Sequence, residues 1–140
     1  MKNSQNIVNY EKVIEIDNGD VLHGMKNDSI GYVEFGEMYF SEIKFNSIKA
    51  WKRHTSITSN ILVPIGEVKF VLVIEEDNNL EFKEFIISKK NYLRLTIPPL
   101  VWYGFKGVSH DKSLIVSLID KKHDPNESES TELEGFNYEW

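Results

Sequence analysis

Short apolar runs separated by turn residues dominate the chain. No window of eleven or more residues has the 3.6-residue period of an amphipathic helix. From Val68 to Ile74 both faces of a predicted strand are largely apolar, which is typical of a strand inside a sandwich or barrel. From Leu93 to Ile97 apolar and polar residues alternate, as in a half-exposed strand. With about ten such strands, the pattern predicts an all-β sandwich or barrel forming a single domain.

Turn residues mark the boundaries of these strands. Asn-Gly within Asp17–Asp20 predicts a hairpin, because both residues accept positive φ. Asp77–Asn79 predicts a second turn, and Pro98-Pro99 ends a strand, since proline donates no N–H to a ladder. We expect residues 1–6 to be loose and 23–28 to form a loop. The remaining predicted strands are Val13–Ile16, Val21–Leu22, Gly31–Phe45 with a bend at Gly36, Glu81–Ile87, Val101–Phe105 and Leu114–Ile119.

The last part of the chain, residues 124–140, has a different composition and is called the tail below. It begins acidic and rich in turn residues, and it ends with aromatic residues at alternate positions, Phe136, Tyr138 and Trp140. We expect these rings to pin the tail onto the body of the domain.

Composition restricts the possible partners. The net charge of -6 argues against nonspecific nucleic-acid binding, which needs a basic surface. It does not exclude an anionic small ligand held locally by Lys49, Lys52 and Arg53. Without cysteine, disulfides and thiolate chemistry are excluded. No signal peptide and no apolar run of membrane-spanning length is visible, so we expect a cytoplasmic protein without a membrane partner.

The main candidate for chemistry is His54, which lies between a cationic pair and a polar turn. Histidine is the side chain that exchanges a proton near neutral pH, and the neighbouring Lys52 and Arg53 favour its neutral, basic form. The alternative is that Lys52–His54 is only a solvated charge run.

Other kinds of site find less support in the sequence. A metal site of the usual kind needs three ligands, whereas His54 stands alone and His110 lies in a Ser-His-Asp loop, so we expect no catalytic metal. The chain has no glycine-rich phosphate loop and no nucleophile elbow. We therefore expect neither a cofactor nor covalent catalysis.

Four motifs occur in a characteristic order. They are Ala-Trp-Lys-Arg-His (Ala50–His54), Gly-Glu-Val (Gly66–Val68), Ile-Pro-Pro-Leu-Val-Trp-Tyr-Gly-Phe (Ile97–Phe105) and Asp-Pro-Asn-Glu (Asp124–Glu127). Over roughly residues 10 to 127 the chain resembles the dTDP-4-dehydrorhamnose 3,5-epimerase superfamily. It is also similar to the dTDP-sugar 3,4-ketoisomerases in its length and its Pro-Leu-Val-Trp segment. The resemblance implies a cupin-type jelly roll.

The resemblance also implies a reaction. Its members act on nucleotide-linked 4-keto-6-deoxy sugars, and the histidine at the position of His54 removes a proton beside the ketone. Lys52, Arg53 or Tyr103 would then hold the enolate oxygen or the diphosphate. The biological context would be deoxysugar synthesis for surface polysaccharide, and the implied assembly is a homodimer.

Other residues are weaker candidates for substrate binding. Trp51 and Trp102 can stack on a base or sugar but also suit a core, and Asn60 can donate to phosphate or belong to a turn. His123 can reach the barrel mouth or cap a turn. The carboxylate partner of His54 is left open between Asp120, Asp124 and Glu37, and Asp120 is also a candidate for contact with substrate.

The chain departs from the epimerase pattern in three places, and the missing lysine and the missing last-strand tyrosine favour a second hypothesis. Tyr103 replaces a usual histidine, residues 55–65 contain no lysine, and Leu114–Ser117 lacks the usual tyrosine. The alternative is therefore a non-catalytic jelly-roll protein that binds a sugar nucleotide and assists a partner enzyme.

Overall fold

A computed structural model describes residues 7–140, and the expectation for residues 1–6 lies outside this range. Nearly all regular structure in it is β-strand, with one 3-10 turn at Leu133–Gly135. Among these residues no helix is long and apolar enough to cross a membrane. The strands are β1 (Val8–Tyr10), β2 (Val13–Ile14), β3 (Val21–Leu22), β4 (Glu37–Ile43), β5 (Ile48–His54), β6 (Ser59–Ile65), β7 (Glu67–Glu76), β8 (Asn79–Ser88), β9 (Leu93–Ile97), β10 (Trp102–Gly107), β11 (Ser113–Ile119) and β12 (Ser128–Ser130).

Two antiparallel five-stranded sheets face each other. The first has the order β1-β9-β6-β11-β4 and the second the order β12-β5-β10-β7-β8, while β2 and β3 form a separate hairpin. Most neighbours in each sheet are distant in sequence, as in the Greek-key connections of a jelly roll. The predicted all-β, cupin-type jelly roll is confirmed.

The core lies between the sheets and is built by alternating residues of both. Phe70 and Leu72 of β7 and Leu95 of β9 are completely buried in it. The opposite face of β7, with Val71 and Val73, is also buried, because the tail packs against it. This second cluster explains why both faces of β7 are apolar.

The turn predicted at Asp77–Asn79 forms a tight hairpin, whereas the one at Asp17–Asp20 has positive φ only at Gly19. Asp77 and Asn78 have φ of 51° and 62°, and they connect β7 to β8 where Glu76 pairs with Asn79. A two-residue loop with positive φ at both positions matches the right-handed twist of the flanking strands. Gly19 has φ of 137° in the turn that precedes β3, and β2 pairs with β3 as expected.

The prediction was wrong in several places. The strand Leu93–Ile97 was expected to be half-exposed, but it is buried on both faces, with Arg94 1% and Thr96 7% exposed, because a loop covers its outer face. Of the strand expected over Gly31–Phe45, only Glu37–Ile43 forms, because the preceding residues cross the outer face of the first sheet as a loop. The strands Val8–Tyr10 and Ser128–Ser130 were not predicted. Both are three residues long, and the second reads Ser-Glu-Ser, so neither has an apolar pattern.

A buried guanidinium fastens that loop to the first sheet. Arg94 of β9 is 1% exposed and donates to the carboxylate of Glu11 (2.9 Å), to Asn60 Oδ1 (2.5 Å), to Thr96 Oγ1 (3.1 Å) and to the Ile30 carbonyl (2.7 Å). Such a buried charge is stable only with partners of this kind, and here each of the three guanidinium nitrogens has at least one.

Replacing Arg94 should therefore destabilise the fold strongly. Arg94→Met leaves the Glu11 carboxylate without its charged donor, and the Asn60 oxygen keeps only its bond from the Thr96 hydroxyl, so we expect the free energy of unfolding to fall by about 3–5 kcal/mol. Urea unfolding measures it. Arg53→Met is the matched control, because the Arg53–Glu129 pair is largely exposed and should contribute about 1 kcal/mol or less. Equal losses in the two variants would contradict this account.

Candidate active site

A buried histidine and a buried glutamate meet at the end of β5. His54 is the last residue of the strand and is 4% exposed, and its Nδ1 lies 2.5 Å from Oε1 of Glu127. Glu127 lies between β11 and β12, in the Asp-Pro-Asn-Glu segment. Asp124 shapes that segment, since its carbonyl accepts from the Glu127 N–H (3.0 Å).

The polypeptide after β5 holds the carboxylate in place. Oε2 of Glu127 accepts the backbone N–H groups of Ser56 (2.8 Å) and Ile57 (3.1 Å). Burial raises the pKa of Glu127, but these bonds and the one from His54 outweigh it and lower the pKa to about 2. At neutral pH the side chain is therefore a fixed anion.

This arrangement determines the tautomer of His54. A carboxylate can only accept hydrogen bonds, so in the neutral imidazole Nδ1 carries the proton and Nε2 has the lone pair. Among the described residues Nε2 has no hydrogen-bond partner, although it is fully buried. A buried nitrogen with a free lone pair and a carboxylate behind it is the arrangement of a general base.

Tyr103 of β10 lies beside the imidazole. The two rings are 6.4 Å apart between centroids and nearly parallel, with an interplanar angle of 27°. Burial, with smaller contributions from Tyr39 and Glu127, raises the pKa of Tyr103 far above its ordinary value. Its phenol therefore stays protonated and can donate a hydrogen bond to an oxygen that becomes negative.

A cavity of about 440 Å³ opens between the two sheets next to Tyr103. β4, an edge strand of the first sheet, and β12, an edge strand of the second, both border it. The cavity therefore lies at the side of the sandwich where these two edges face each other. Its polar lining includes Tyr39, Ser41, Ser117, Lys49, Lys52, Tyr103, Ser130 and Thr131. His54 does not belong to this lining; it lies behind Tyr103.

The structure brings three of the predicted site residues together. Lys52 pairs with Tyr103 across β5 and β10, and both line the cavity. His54, two residues after Lys52, points to the same side of β5. Among the described residues Lys52 forms no ion pair.

Three other candidates have their side chains on the opposite face of the second sheet. The Trp51 ring packs on Phe136, Tyr138 and Trp140, so that only the rest of this residue borders the cavity. Arg53 pairs with Glu129 and lies 5.0 Å above the Trp102 ring. Side chains alternate between the two faces along β5 and β10. Trp51 and Arg53 flank Lys52 and Trp102 precedes Tyr103, so these three side chains face away from the cavity.

The remaining candidates have structural contacts elsewhere. Asn60 is buried under the loop on the first sheet, bound to Arg94 and to the Gly31 carbonyl (3.0 Å). Asp120 accepts the Thr58 N–H (2.9 Å), and His123 is exposed, with its N–H donating to Glu37 (2.9 Å). None of these three lines the cavity.

Sequence reasoning missed Glu127 as the partner of His54 and considered Asp120, Asp124 and Glu37 instead. The available signal was the Asp-Pro-Asn-Glu motif, which was used only for the family resemblance. The polar cavity residues Tyr39, Ser41 and Ser117 were missed as well. The periodicity of their strands predicts that inward-facing residues belong to the core. Only the way in which the two sheets face each other shows that these residues border a cavity.

Within residues 7–140 no group of three or more histidine, aspartate or glutamate side chains is placed to hold a metal ion.

Comparisons by sequence and by structure gave different results. No protein-family model matches the chain, and no curated protein does either. Among solved structures, a dTDP sugar isomerase from Desulfovibrio desulfuricans G20 is 32% identical, with a TM-score of 0.86 over 91% of this chain and 84% of that chain.

Two more distant structures share the fold. A sugar 3,4-ketoisomerase from Thermoanaerobacterium thermosaccharolyticum, in complex with TDP, is 18% identical, with a TM-score of 0.74 over 91% of this chain and 90% of that chain. A dTDP-6-deoxy-D-glucose-3,5-epimerase from Legionella pneumophila, in complex with dTDP-4-keto-L-rhamnose, is 17% identical, with a TM-score of 0.76 over 90% of this chain and 72% of that chain.

The lowered pKa of Glu127 predicts how stability depends on pH. Folding lowers this pKa from 4.5 to about 2, so the stabilisation is complete above pH 4.5 and is lost as the pH falls through about 2. The difference in unfolding free energy between wild type and Glu127→Gln should therefore be constant above about pH 5 and shrink below pH 4.5. Urea unfolding at fixed pH values measures it.

Glu129→Gln is the matched control, since Glu129 is exposed and close in sequence. It should differ little from wild type at any pH. A Glu127→Gln difference that is the same at pH 3 and pH 6 would show that the carboxylate is not the anion described here.

Proposed function

The chain belongs to the superfamily of jelly-roll dTDP-sugar epimerases and isomerases, and we propose that it moves a proton beside the ketone of a dTDP-linked 4-keto-6-deoxy sugar. The observation that carries this proposal is the buried His54–Glu127 pair, which leaves Nε2 of His54 unpartnered and packs beside Tyr103, a residue of the polar cavity lining. We place the reaction in the synthesis of deoxysugars for surface polysaccharide.

The proposed chemistry needs only groups that the chain supplies. A C–H bond beside a ketone is weakly acidic because the resulting charge spreads onto the ketone oxygen. Nε2 of His54 takes the proton, and Glu127 stabilises the imidazolium that forms. The Tyr103 phenol donates a hydrogen bond to the enolate oxygen. No electron is transferred, so no redox cofactor is required.

The product depends on the carbon, and on the face of that carbon, to which the proton returns. Delivery to the same carbon from the other face gives an epimer. Delivery to the former ketone carbon, with transfer of the hydroxyl proton, moves the ketone to its neighbour. We favour the isomerase, because the 32% identical relative is a dTDP sugar isomerase.

The charge of the cavity suits a sugar diphosphate. Lys49 and Lys52 both line it, and they supply local positive charge in a protein of net charge -6. Lys49 is partly engaged, since its Nζ donates to the Glu42 carbonyl (2.9 Å). Lys52 is therefore the principal candidate for a phosphate contact.

Access to the base requires movement. His54 is 4% exposed and Tyr103 separates it from the cavity, so a substrate carbon reaches Nε2 only when Tyr103 or a neighbour shifts. The same burial favours the second candidate function, a protein that binds the sugar nucleotide without turnover and assists a partner enzyme.

We also propose a homodimer. β4 pairs only with β11, and its other edge carries no strand among the described residues. Phe35, Met38 and Phe40 beside this edge are 66%, 48% and 61% exposed, an unusual density of exposed apolar side chains. A second copy would cover them next to the cavity.

Solvent exchange tests the role of His54. Wild-type protein incubated with a dTDP-4-keto-6-deoxy sugar in deuterium oxide should incorporate deuterium beside the ketone, detected by NMR. His54→Asn should slow this by about 10²–10⁴-fold, the usual contribution of a general base. His123→Asn is the matched control, because His123 is exposed and outside the cavity.

Exchange retained in His54→Asn would exclude His54 as the base. Binding of the nucleotide sugar by wild type without any exchange would support the non-catalytic function instead.

A pair of cationic variants tests the binding site. Lys52→Ala should weaken binding of TDP by about 10- to 100-fold, the cost of losing a hydrogen bond to a charged group. Arg53→Ala, on the opposite face of the same strand, should leave the affinity unchanged. Isothermal titration calorimetry measures both, and a larger effect for Arg53 would move the nucleotide site to the outer face.

A further inference from the structure

The tail connects three features that are distant from one another in the fold. It begins with the segment that supplies Glu127, continues as β12 along the cavity, where Ser130 and Thr131 belong to the lining, and ends on the outer face of the second sheet. One continuous stretch thus carries the carboxylate of the dyad, a cavity wall and an aromatic cluster.

The middle of the tail is weakly held by itself. β12 has three residues, Ser-Glu-Ser, and among residues 7–140 it pairs on one side only, with β5. A short polar strand at a sheet edge buries little apolar surface and opens easily. What keeps it in register must therefore act at its two ends.

The aromatic cluster secures the far end. The Trp51 ring lies 5.3 Å from Phe136, 6.0 Å from Tyr138 and 5.2 Å from Trp140, between ring centroids. Its Nε1 also donates to the Leu133 carbonyl (3.0 Å). These four aromatic residues are called the anchor below.

The sheet surface under the anchor fits it. Gly104 of β10 has no side chain, and a Cβ there would lie 3.1 Å from Trp140 Cζ2 and 2.4 Å from the Ala50 Cβ. Nζ of Lys69 lies 5.1 Å from the Tyr138 ring centroid and 5.9 Å from that of Trp140, a position for cation–π attraction.

Both ends of the tail are bound to the same strand. Trp51 and Thr131 exchange two backbone hydrogen bonds (3.2 and 3.1 Å), and β12 then pairs with β5 up to Ser128 opposite His54. At the near end the Thr55 N–H donates to the Glu127 carbonyl (3.1 Å). Fraying that starts at Thr131 would therefore run along β12 to Glu127.

We propose that Phe136, Tyr138 and Trp140 are positioning residues for the reaction: by clamping the tail on Trp51 they keep β12 in register and Glu127 against His54. This inference rests on the proposed function of the His54–Glu127 pair. The three rings act through Glu127, since none of them lines the cavity.

A double-mutant cycle in the full-length protein tests this coupling. Tyr138→Ala and Trp140→Ala should each lower kcat for isomerisation by about tenfold, and Trp140→Phe, which keeps a ring, should recover most of the loss. In a Glu127→Gln background the same substitutions should cost no further activity. Additive losses would overturn the proposal. Tyr10→Ala, an exposed aromatic on β1 at the other edge of the first sheet, is the matched control and should change nothing.

A spectroscopic readout separates this proposal from the proposed function. The Nδ1–H proton of His54, held by Glu127, should give a low-field NMR signal in wild type that disappears in Trp140→Ala while the protein remains folded. A signal that persists in Trp140→Ala overturns the positioning role. If wild type turns over no substrate but the signal depends on Trp140, the anchor proposal stands and the enzymatic one fails.

If the alanine variants do not fold, amide hydrogen exchange in the wild-type protein tests the proposal instead. In wild type the amides of Thr55 and Thr131 bond to Glu127 and Trp51, respectively. If the tail opens as a unit, they should exchange with the same opening free energy. Independent exchange of the two would contradict the clamp.

Discussion

Three donors converge on the carboxylate of Glu127: the His54 Nδ1–H and the backbone N–H groups of Ser56 and Ile57. A buried charge is tolerated only where such bonds replace water. Here the bonds do more than stabilise the ion, because they leave the imidazole with a fixed tautomer and a free Nε2. The chemistry open to this protein depends on that single arrangement.

The two faces of the second sheet have different roles: the inner face lines the cavity and the outer face packs against the tail. Lys52 and Tyr103 line the cavity on the inner face, while Arg53, Trp102 and the Trp51 ring face outwards to the tail. Strand alternation makes this division, since neighbouring residues of β5 point to opposite sides. A motif of consecutive residues, Trp51–His54, therefore serves both the site and the packing that supports it.

Two buried charges organise the two sheets in a similar way. On the first sheet Arg94 holds the loop before β4, and between the sheets Glu127 holds the start of the tail. Each fastens an irregular segment to a rigid strand through several hydrogen bonds. Irregular chain carries polar backbone groups that need such partners, so these contacts fix both segments to the sheets.

The sequence by itself determined the class of fold and most strand positions, and it singled out His54 as the main candidate for chemistry. These follow from local signals: apolar alternation, turn residues with positive φ such as Asn78, and the order of four motifs. The sequence also showed the apolar outer face of β7 and the alternate aromatic residues of the tail, since each is a periodic pattern.

Only the tertiary structure decided which carboxylate meets His54 and which side chains meet the cavity. Glu127 lies 73 residues away, in the same polar segment as Asp124, and nothing in the local sequence favours it over Asp120 or Asp124. Alternation along β5 shows that Lys52 and Arg53 point to opposite faces, but not which face is inside. That depends on register and on the pairing with β10 and β12, which are long-range contacts that local sequence does not encode.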